Sequence, residues 1–210
     1  MSLNVIVQSL HMGSRCLIRD LRINCEAGQI VTLMGASGSG KSSLLAAVAG
    51  LPIESMRFDG DVSLNGKSIA LLPTSQRRIG LLFQDDLLFA HMTVRENLLF
   101  ATPQGDAKLR AAAAAQALQE LGFEAMADRS PLTLSGGQRA RVSLMRTLLA
   151  QPQALLLDEP FSKLDAALRE QFRHFVFSHA RRLGLPTLLV THDAADVADP
   201  AHVVQLAQET

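Results

Sequence analysis

Apolar and polar residues partly alternate along "LNVIVQSL" (residues 3–10), which predicts a strand with one buried face. "CLIRDLRINC" (16–25) reads as one or two further strands, and "GQIVTLMG" (28–35) as a strand with buried character. "GKSSLLAAVAG" predicts a helix that stops at Gly50, with Pro52 just beyond. "DGDVSLNGKSIA" predicts a hairpin with Asn65-Gly66 at its turn, and "RRIGLLFQ" a strand ending at Gln84.

The texture then changes. From about residue 85 to 150 the periodicity is helical: "TVRENLLFA", then "DAKLRAAAAAQALQEL" closed by Gly122, then a helix after Ser135. Leu109, Ala114, Leu118 and Leu121 fall near one face of the middle helix, and its alanine run is explained by helix propensity. Strands return with "ALLLDE", "PTLLVTH" and "HVVQLA", around a long helix over about 166–182. Strands alternating with helices imply an α/β fold with a mostly parallel sheet, preceded by antiparallel strands. The helical block over 85–150 reads as an insertion between two core segments, 1–84 and 151–210.

Composition narrows the options. The 210 residues are 48% hydrophobic, enough for a real core and too apolar for a disordered chain. Net charge is zero, so no global field draws the chain to nucleic acid or anionic lipid. Cys16 and Cys25 lack metal-ligand spacing and are expected to be buried, reduced thiols of a reducing compartment. The N-terminal stretch has no basic region, and its apolar run is too short for a signal peptide. No stretch approaches the length of a membrane span, so a membrane role is expected to come through a partner.

"GASGSGKSS", Gly35 to Ser43, fits G-x-x-x-x-G-K-[ST], follows a predicted strand and opens a helix. Gly35, Gly38 and Gly40, with Ala36, Ser37, Ser39 and Ser43, would let backbone N–H groups wrap phosphates beside a positive helix end. Lys41 is expected to reach the β and γ phosphates, and the Ser42 hydroxyl to ligate Mg²⁺. Such a loop needs a carboxylate at another strand's end. Asp158, after the buried run Ala154–Leu157, supplies it, acting on the ion's ligands or through a water. Glu159 follows and is placed to polarise an attacking water. Gln84, Asp165 and His192 each stand at or just past a strand; each is a weak signal alone, and Asp165 alone would read as a helix N-cap. A second phosphate-grip pattern, "LTLSGGQRARV", sets Ser135, Gly136, Gly137 and Gln138 at a helix start.

Together these motifs resemble the ATP-binding subunit of ABC transporters, over nearly the whole chain. "GASGSGKSS" resembles Walker A, "ALLLDE" Walker B, Gln84 the Q-loop, "LSGGQ" the family signature, "SKLD" the D-loop and His192 the switch histidine. The resemblance implies a RecA-like ATP-binding core, a helical signature subdomain, and ATP with Mg²⁺ (Ser42, Gln84, Asp158) as ligands. It implies a head-to-tail homodimer in which Ser135, Gly136 and Gly137 bind the γ-phosphate held by the partner copy's Lys41, with Gln138 and Asp165 nearby. "LPTSQRRIGLLFQDDLLFAHMTVRENL" resembles the ATPase subunits of bacterial importers, such as those for thiamine, ferric iron or molybdate, and the signature-to-D-loop stretch looks like YnjD-type subunits. Such subunits work on permeases, and indirectly with a binding protein, at the cytoplasmic face of the inner membrane, without nucleic acid. Leu87, Leu88, Phe89 and Met92 fall where the family receives the permease, or they pack the helical subdomain.

The chain departs from the family at three places. An aromatic residue upstream of the P-loop usually stacks on adenine. Here there is no Trp or Tyr, the first Phe is Phe58, and the position falls near Met12 with His11 beside it. Either would cover a base face more weakly, so modest ATP affinity and loose ATP/GTP discrimination are expected. Lys163 stands where the D-loop usually has alanine, and would approach a partner's nucleotide or point to water. The ending at Thr210 leaves no room for a C-terminal regulatory domain, and a short final sheet edge is expected.

Overall fold

A computed structural model describes residues 1–206; residues 207–210, including the last position of "HVVQLA", lie outside the described part. In chain order the elements are β1 (Ser2–Met12), β2 (Arg15–Glu26), β3 (Ile30–Met34), α1 (Lys41–Ala49), β4 (Met56–Leu64), β5 (Lys67–Ser68), β6 (Ile79–Leu82), α2 (Val94–Ala101), α3 (Ala107–Leu121), α4 (Gly136–Leu149), β7 (Ala154–Asp158), α5 (Ala166–Arg182), β8 (Thr187–Thr191) and β9 (Val203–Gln205). The chain divides into two compact units. One comprises Met1–Leu81, Gln153–Glu159 and the residues from Phe177 on; the other comprises Leu82–Pro152 and Pro160–Val176.

In the first unit, β2-β1-β4-β5 form an antiparallel sheet, and the second sheet has the order β6-β7-β8-β3-β9. β3 runs parallel to β8, with Thr32 opposite Leu189, and β8 runs parallel to β7, with Asp158 opposite Val190. This register sets the carboxyl ends of β3, β7 and β8 side by side, where open α/β sheets gather their ligands. Leu33, Leu44, Leu45, Val48, Leu156 and Leu188 belong to one buried cluster that reaches from α1 through the sheet. The α/β fold class read from the alternation of elements holds.

Arg77 is a buried cation that finishes α1. Its guanidinium donates to the carbonyls of Ala47 and Val48 at 2.9 Å, and also to Leu72 and Ala70. The Val48 carbonyl is an orphan acceptor at the helix end, whereas that of Ala47 also accepts the Gly50 N–H at 3.1 Å. Gly50 closes the helix at φ +73, and a Cβ there would come within 2.4 Å of Arg77 Nε.

In the second unit, Thr93 and Glu96 form a capping box on α2, and Asp106 caps α3. Val94, Leu98, Ala114, Ala117, Leu118, Leu121, Val142 and Met145 build its core. Asn97 is fully buried, and its amide donates to the carbonyls of Phe89, Met92 and Thr93, which fixes the segment before α2.

Several sequence expectations need correction. "CLIRDLRINC", read as one or two strands, is a single strand and needs none. β6 stops at Leu82, so Gln84 lies two residues beyond the strand rather than at its end. Leu109 is 73% exposed, because at 3.6 residues per turn it points away from the face that Ala114, Ala117, Leu118 and Leu121 bury. Cys16 is only half-buried. Cys25 is buried as expected, and that burial pushes its thiol up to about 11.

Candidate active site

The loop before α1 turns on Gly40, at φ +91, which accepts the Leu44 N–H at 2.8 Å. A Cβ on Gly40 would stand 2.8 Å from the Leu17 Cβ, so this position needs both a left-handed backbone and no side chain. Lys41 is only 5% exposed, and its Nζ donates to the carbonyls of Gly35 at 2.8 Å and Ala36 at 2.9 Å. An ammonium has three protons, so one remains for an anion in the loop. The Ser39 hydroxyl is buried without a hydrogen-bond partner inside the same loop. Buried polar groups are normally satisfied, and a phosphate oxygen is the kind of acceptor this cradle fits. Ser37, Gly38, Lys41, Ser42 and Glu159 line a cleft of about 180 Å³.

Ser42 Oγ donates to Asp158 Oδ1 at 2.9 Å, joining the start of α1 to the end of β7. Burial raises the Asp158 carboxyl above its ordinary range, partly opposed by that hydrogen bond, while adjacent Glu159 raises it further and Lys41 lowers it. A hydroxyl beside a carboxylate suits a hard cation. Among the described residues no three His, Cys, Asp or Glu side chains cluster as a metal cage. Ser42 and Asp158 therefore fit Mg²⁺ only as part of a shell completed by phosphate and water, as Mg²⁺ commonly is.

Glue between the two catalytic-looking side chains is direct. Glu159 Oε1 lies 3.1 Å from His192 Nδ1. Glu159 has φ +45, uncommon for a non-glycine residue, while its N–H still donates to the Val190 carbonyl at 3.0 Å. The left-handed turn swings Glu159 out of strand alternation, so it joins Ser42 in lining the cleft. His192 follows β8 in a tied turn. The Thr191 hydroxyl donates to Asp196 Oδ2 at 2.9 Å and accepts the Asp193 N–H at 3.1 Å. Asp196 is 2% exposed, a buried carboxylate that sequence reading did not single out.

Met12 ends β1, half-buried and opposite Arg15 and Met56, and it is Leu17 rather than Met12 that lines the phosphate cleft. Nothing in the sequence pattern distinguished Leu17, whose contact with Gly40 depends on β2 passing the loop.

The remaining motif residues belong to the helical unit. Ser135 and Gln138 form a reciprocal capping box: Ser135 Oγ accepts the Gln138 N–H at 3.3 Å, and Gln138 Oε1 accepts the Ser135 N–H at 2.9 Å. Ser135 thus keeps its O–H proton for another acceptor, and Ser135 and Gly136 are exposed. Gly137 is buried, and a Cβ there would meet Leu168 Cδ2 at 3.3 Å. Asp165 Oδ1 accepts the Leu168 N–H at 3.0 Å, the N-cap geometry. Gln84 Nε2 donates to Ser162 Oγ at 3.1 Å. Lys163 is exposed, and its ammonium pairs with the exposed Asp85.

The family model for ABC transporters matches residues 18–162. An uncharacterized ABC transporter ATP-binding protein, YnjD of Escherichia coli K12, is 49% identical over 95% of this chain and 93% of its own length. The sulfate/thiosulfate import ATP-binding protein CysA of Salmonella typhi is 37% identical over 99% of this chain and 58% of its own. The spermidine/putrescine import ATP-binding protein PotA of Methylococcus capsulatus is 38% identical over 88% of this chain and 48% of its own. The chain thus spans nearly all of the first relative and about half to three-fifths of the two import proteins.

Proposed function

Since the chain belongs to the ABC transporter family as an ATP-binding ATPase, we propose that it is the subunit that powers solute uptake through a membrane permease. Its working form is a head-to-tail pair of copies. The reading is carried by one observation: a P-loop lysine, a Ser42–Asp158 pair and a Glu159–His192 pair all sit in one compact unit at the carboxyl end of its parallel strands. Residues 1–84 and 151–210 are read as the RecA-like core and 85–150 as the signature subdomain, while by compactness residues 82–84 and Pro160–Val176 group with the helical unit.

The residues take these roles. Gly35 to Ser43 cradle the phosphates of ATP through backbone N–H groups, and Lys41 offsets the charge of the β and γ phosphates. Ser42 and Asp158 would hold Mg²⁺, which when bound would neutralise charge on the phosphate oxygens. Glu159 accepts hydrogen bonding from the attacking water, and His192 orients Glu159. Ser135, Gly136 and Gly137, with Gln138 beside them, offer a hydroxyl and backbone donors at a helix start to the γ-phosphate of the other copy. Gln84 and Asp165 report the nucleotide state. ATP joins the interface in this arrangement, so its binding favours the closed pair and its hydrolysis releases it.

Importer rather than exporter is supported by the printed functions of the sulfate and polyamine relatives. No helix of the described residues is long and apolar enough to cross a membrane. The proposed location is peripheral, on the cytoplasmic face of the bacterial inner membrane, beside the permease and a solute-binding protein. The test is co-expression with the permease genes adjacent to this one, followed by reconstitution into vesicles. ATP-dependent solute accumulation supports import. Co-purification with an exporter-type permease, or ATP-driven efflux alone, overturns it.

A further inference from the structure

Within the helical unit, three consecutive residues after β6 are each anchored. Gln84 Nε2 donates to Ser162 Oγ at 3.1 Å, Asp85 pairs with Lys163, and Asp86 Oδ2 accepts from Arg139 Nε at 2.7 Å. The Asp86 carbonyl also accepts the Ser143 hydroxyl at 2.7 Å. Arg139 already occupies the Asp86 carboxylate, so Asp85 is the carboxylate left for Lys163. Two of these anchors come from neighbouring residues, Ser162 and Lys163, in the segment that directly follows Glu159 in the chain. Gln84, Asp85, Lys163, Gly136 and Arg139 share the wall of one cavity of about 260 Å³, so the start of the signature helix closes the same ring.

We propose that the Lys163–Asp85 ion pair is a clamp that positions Gln84: it holds residues 84–85 against residues 162–163, so that Ser162 engages the amide nitrogen of Gln84 and leaves Oε1 as its free end. This inference rests on the reading of Gln84 as a residue that acts on the nucleotide. An amide has one donor end and one acceptor end, and only the oxygen can meet a cation or a water proton. Without the clamp, residue 84 lies in a segment outside any strand, and its amide loses its fixed orientation. Lys163 is therefore a positioning residue. An exposed ion pair of this kind contributes little to folding stability, so its effect belongs in turnover rather than in melting.

The experiment is steady-state ATP hydrolysis by the full chain with Mg²⁺-ATP, at about 0.05 M and about 0.5 M KCl, a range over which exposed ion pairs are progressively screened. Lys163→Ala and Asp85→Ala are each expected to lower kcat about threefold with KM and Tm unchanged, and the double variant to be no worse than either single one. The exchanged pair, Lys163→Asp with Asp85→Lys, should recover most of the loss. High salt should lower kcat of the unaltered protein by a similar factor and leave the single variants unmoved. Gln84→Ala is measured alongside. If Gln84→Ala is impaired while Lys163→Ala keeps full kcat, or if the two single effects multiply in the double variant, the clamp is overturned and the reading of Gln84 stands. Full kcat in Gln84→Ala overturns both.

Discussion

Glu159 Oε1 and His192 Nδ1 stand 3.1 Å apart, and the backbone that makes this possible is unusual on the glutamate side. Glu159 holds φ +45 immediately after a strand whose first four residues, Ala154–Leu157, are completely buried. Strain of this kind is retained where the surroundings over-determine it, and here the Val190 carbonyl fixes the Glu159 N–H. Glu159→Gln preserves the shape and removes the charge. Turnover is expected to fall by about 10²-fold or more, and an ATP-bound pair of chains to accumulate on gel filtration. A monomer with normal turnover would refute Glu159 as the base.

Asp158 yields a pH prediction. Its folded-state carboxyl is raised, first by burial. An acid raised on folding binds its proton more tightly in the native state. The resulting penalty is absent below the unfolded pKa and fully present once pH exceeds the folded one. Asp158→Asn is therefore expected to raise Tm of the nucleotide-free protein at neutral pH, with the gain shrinking as pH falls through the carboxylate range. The same variant should lose hydrolysis, a stability-for-function exchange common at active sites. Thermal melts across pH, without nucleotide, check the sign.

Arg77 has no part in the proposed chemistry, yet it carries a heavy structural role. Replacing it with Met leaves the carbonyls of Val48, Ala70 and Leu72 without their donor, the first of them at the end of α1. A loss of about 2–4 kcal/mol is expected. For a chain of this size that corresponds to roughly 5–12 °C in Tm. Since α1 begins at Lys41, ATP affinity should fall as well. A melt unchanged within a degree or so would mean water replaces the guanidinium without cost.

Base recognition is expected to be loose. Neither β1 nor β2 carries Phe, Tyr or Trp, which leaves His11, Met12 and Leu17 as the side chains at hand. A thioether or an aliphatic chain covers a purine face without the stacking of a ring. ATP and GTP should be hydrolysed with kcat/KM within about tenfold of one another, since no group here is identified that reads the purine edge. A strong ATP preference would contradict this, and Met12→Tyr should sharpen any preference toward ATP.

His192 depends on a residue that the sequence reading passed over. Asp196 is buried beneath the turn and accepts the Thr191 hydroxyl, which in turn receives the Asp193 N–H. Asp196→Ala should lower kcat about tenfold while KM for ATP changes little, because the P-loop contacts are untouched. Equal effects on kcat and KM would point to general unfolding of the unit instead.

The elements that the periodicity predicted are present: α1 stops at Gly50, α3 at Gly122, and "ALLLD" and "TLLVT" are buried strands. Local rules suffice there, since a left-handed glycine or a run of apolar residues acts on its own neighbours. Leu109 shows the limit of reading apolar residues without their angle, because it lies off the face that Ala114, Ala117, Leu118 and Leu121 bury. Asp165 shows another: its N-cap bond is legible from a few residues, whereas any role beyond it is not.

The sequence by itself determined the phosphate-binding loop, the two carboxylates after a buried strand and the serine–glycine helix start. The loop and the helix start are short patterns whose backbone follows from their own residues, whereas the left-handed Glu159 is held by the Val190 carbonyl of another strand. Only the tertiary structure decided which side chains meet. Ser42 found Asp158 across 116 positions, Gln84 found Ser162 across 78, and Lys163 pairs with Asp85 while Arg139 holds Asp86. Such partners are separated by worth of about a kcal/mol or so each. Differences that small leave no periodic trace in a chain, and are settled by where the packed strands and helices leave each group.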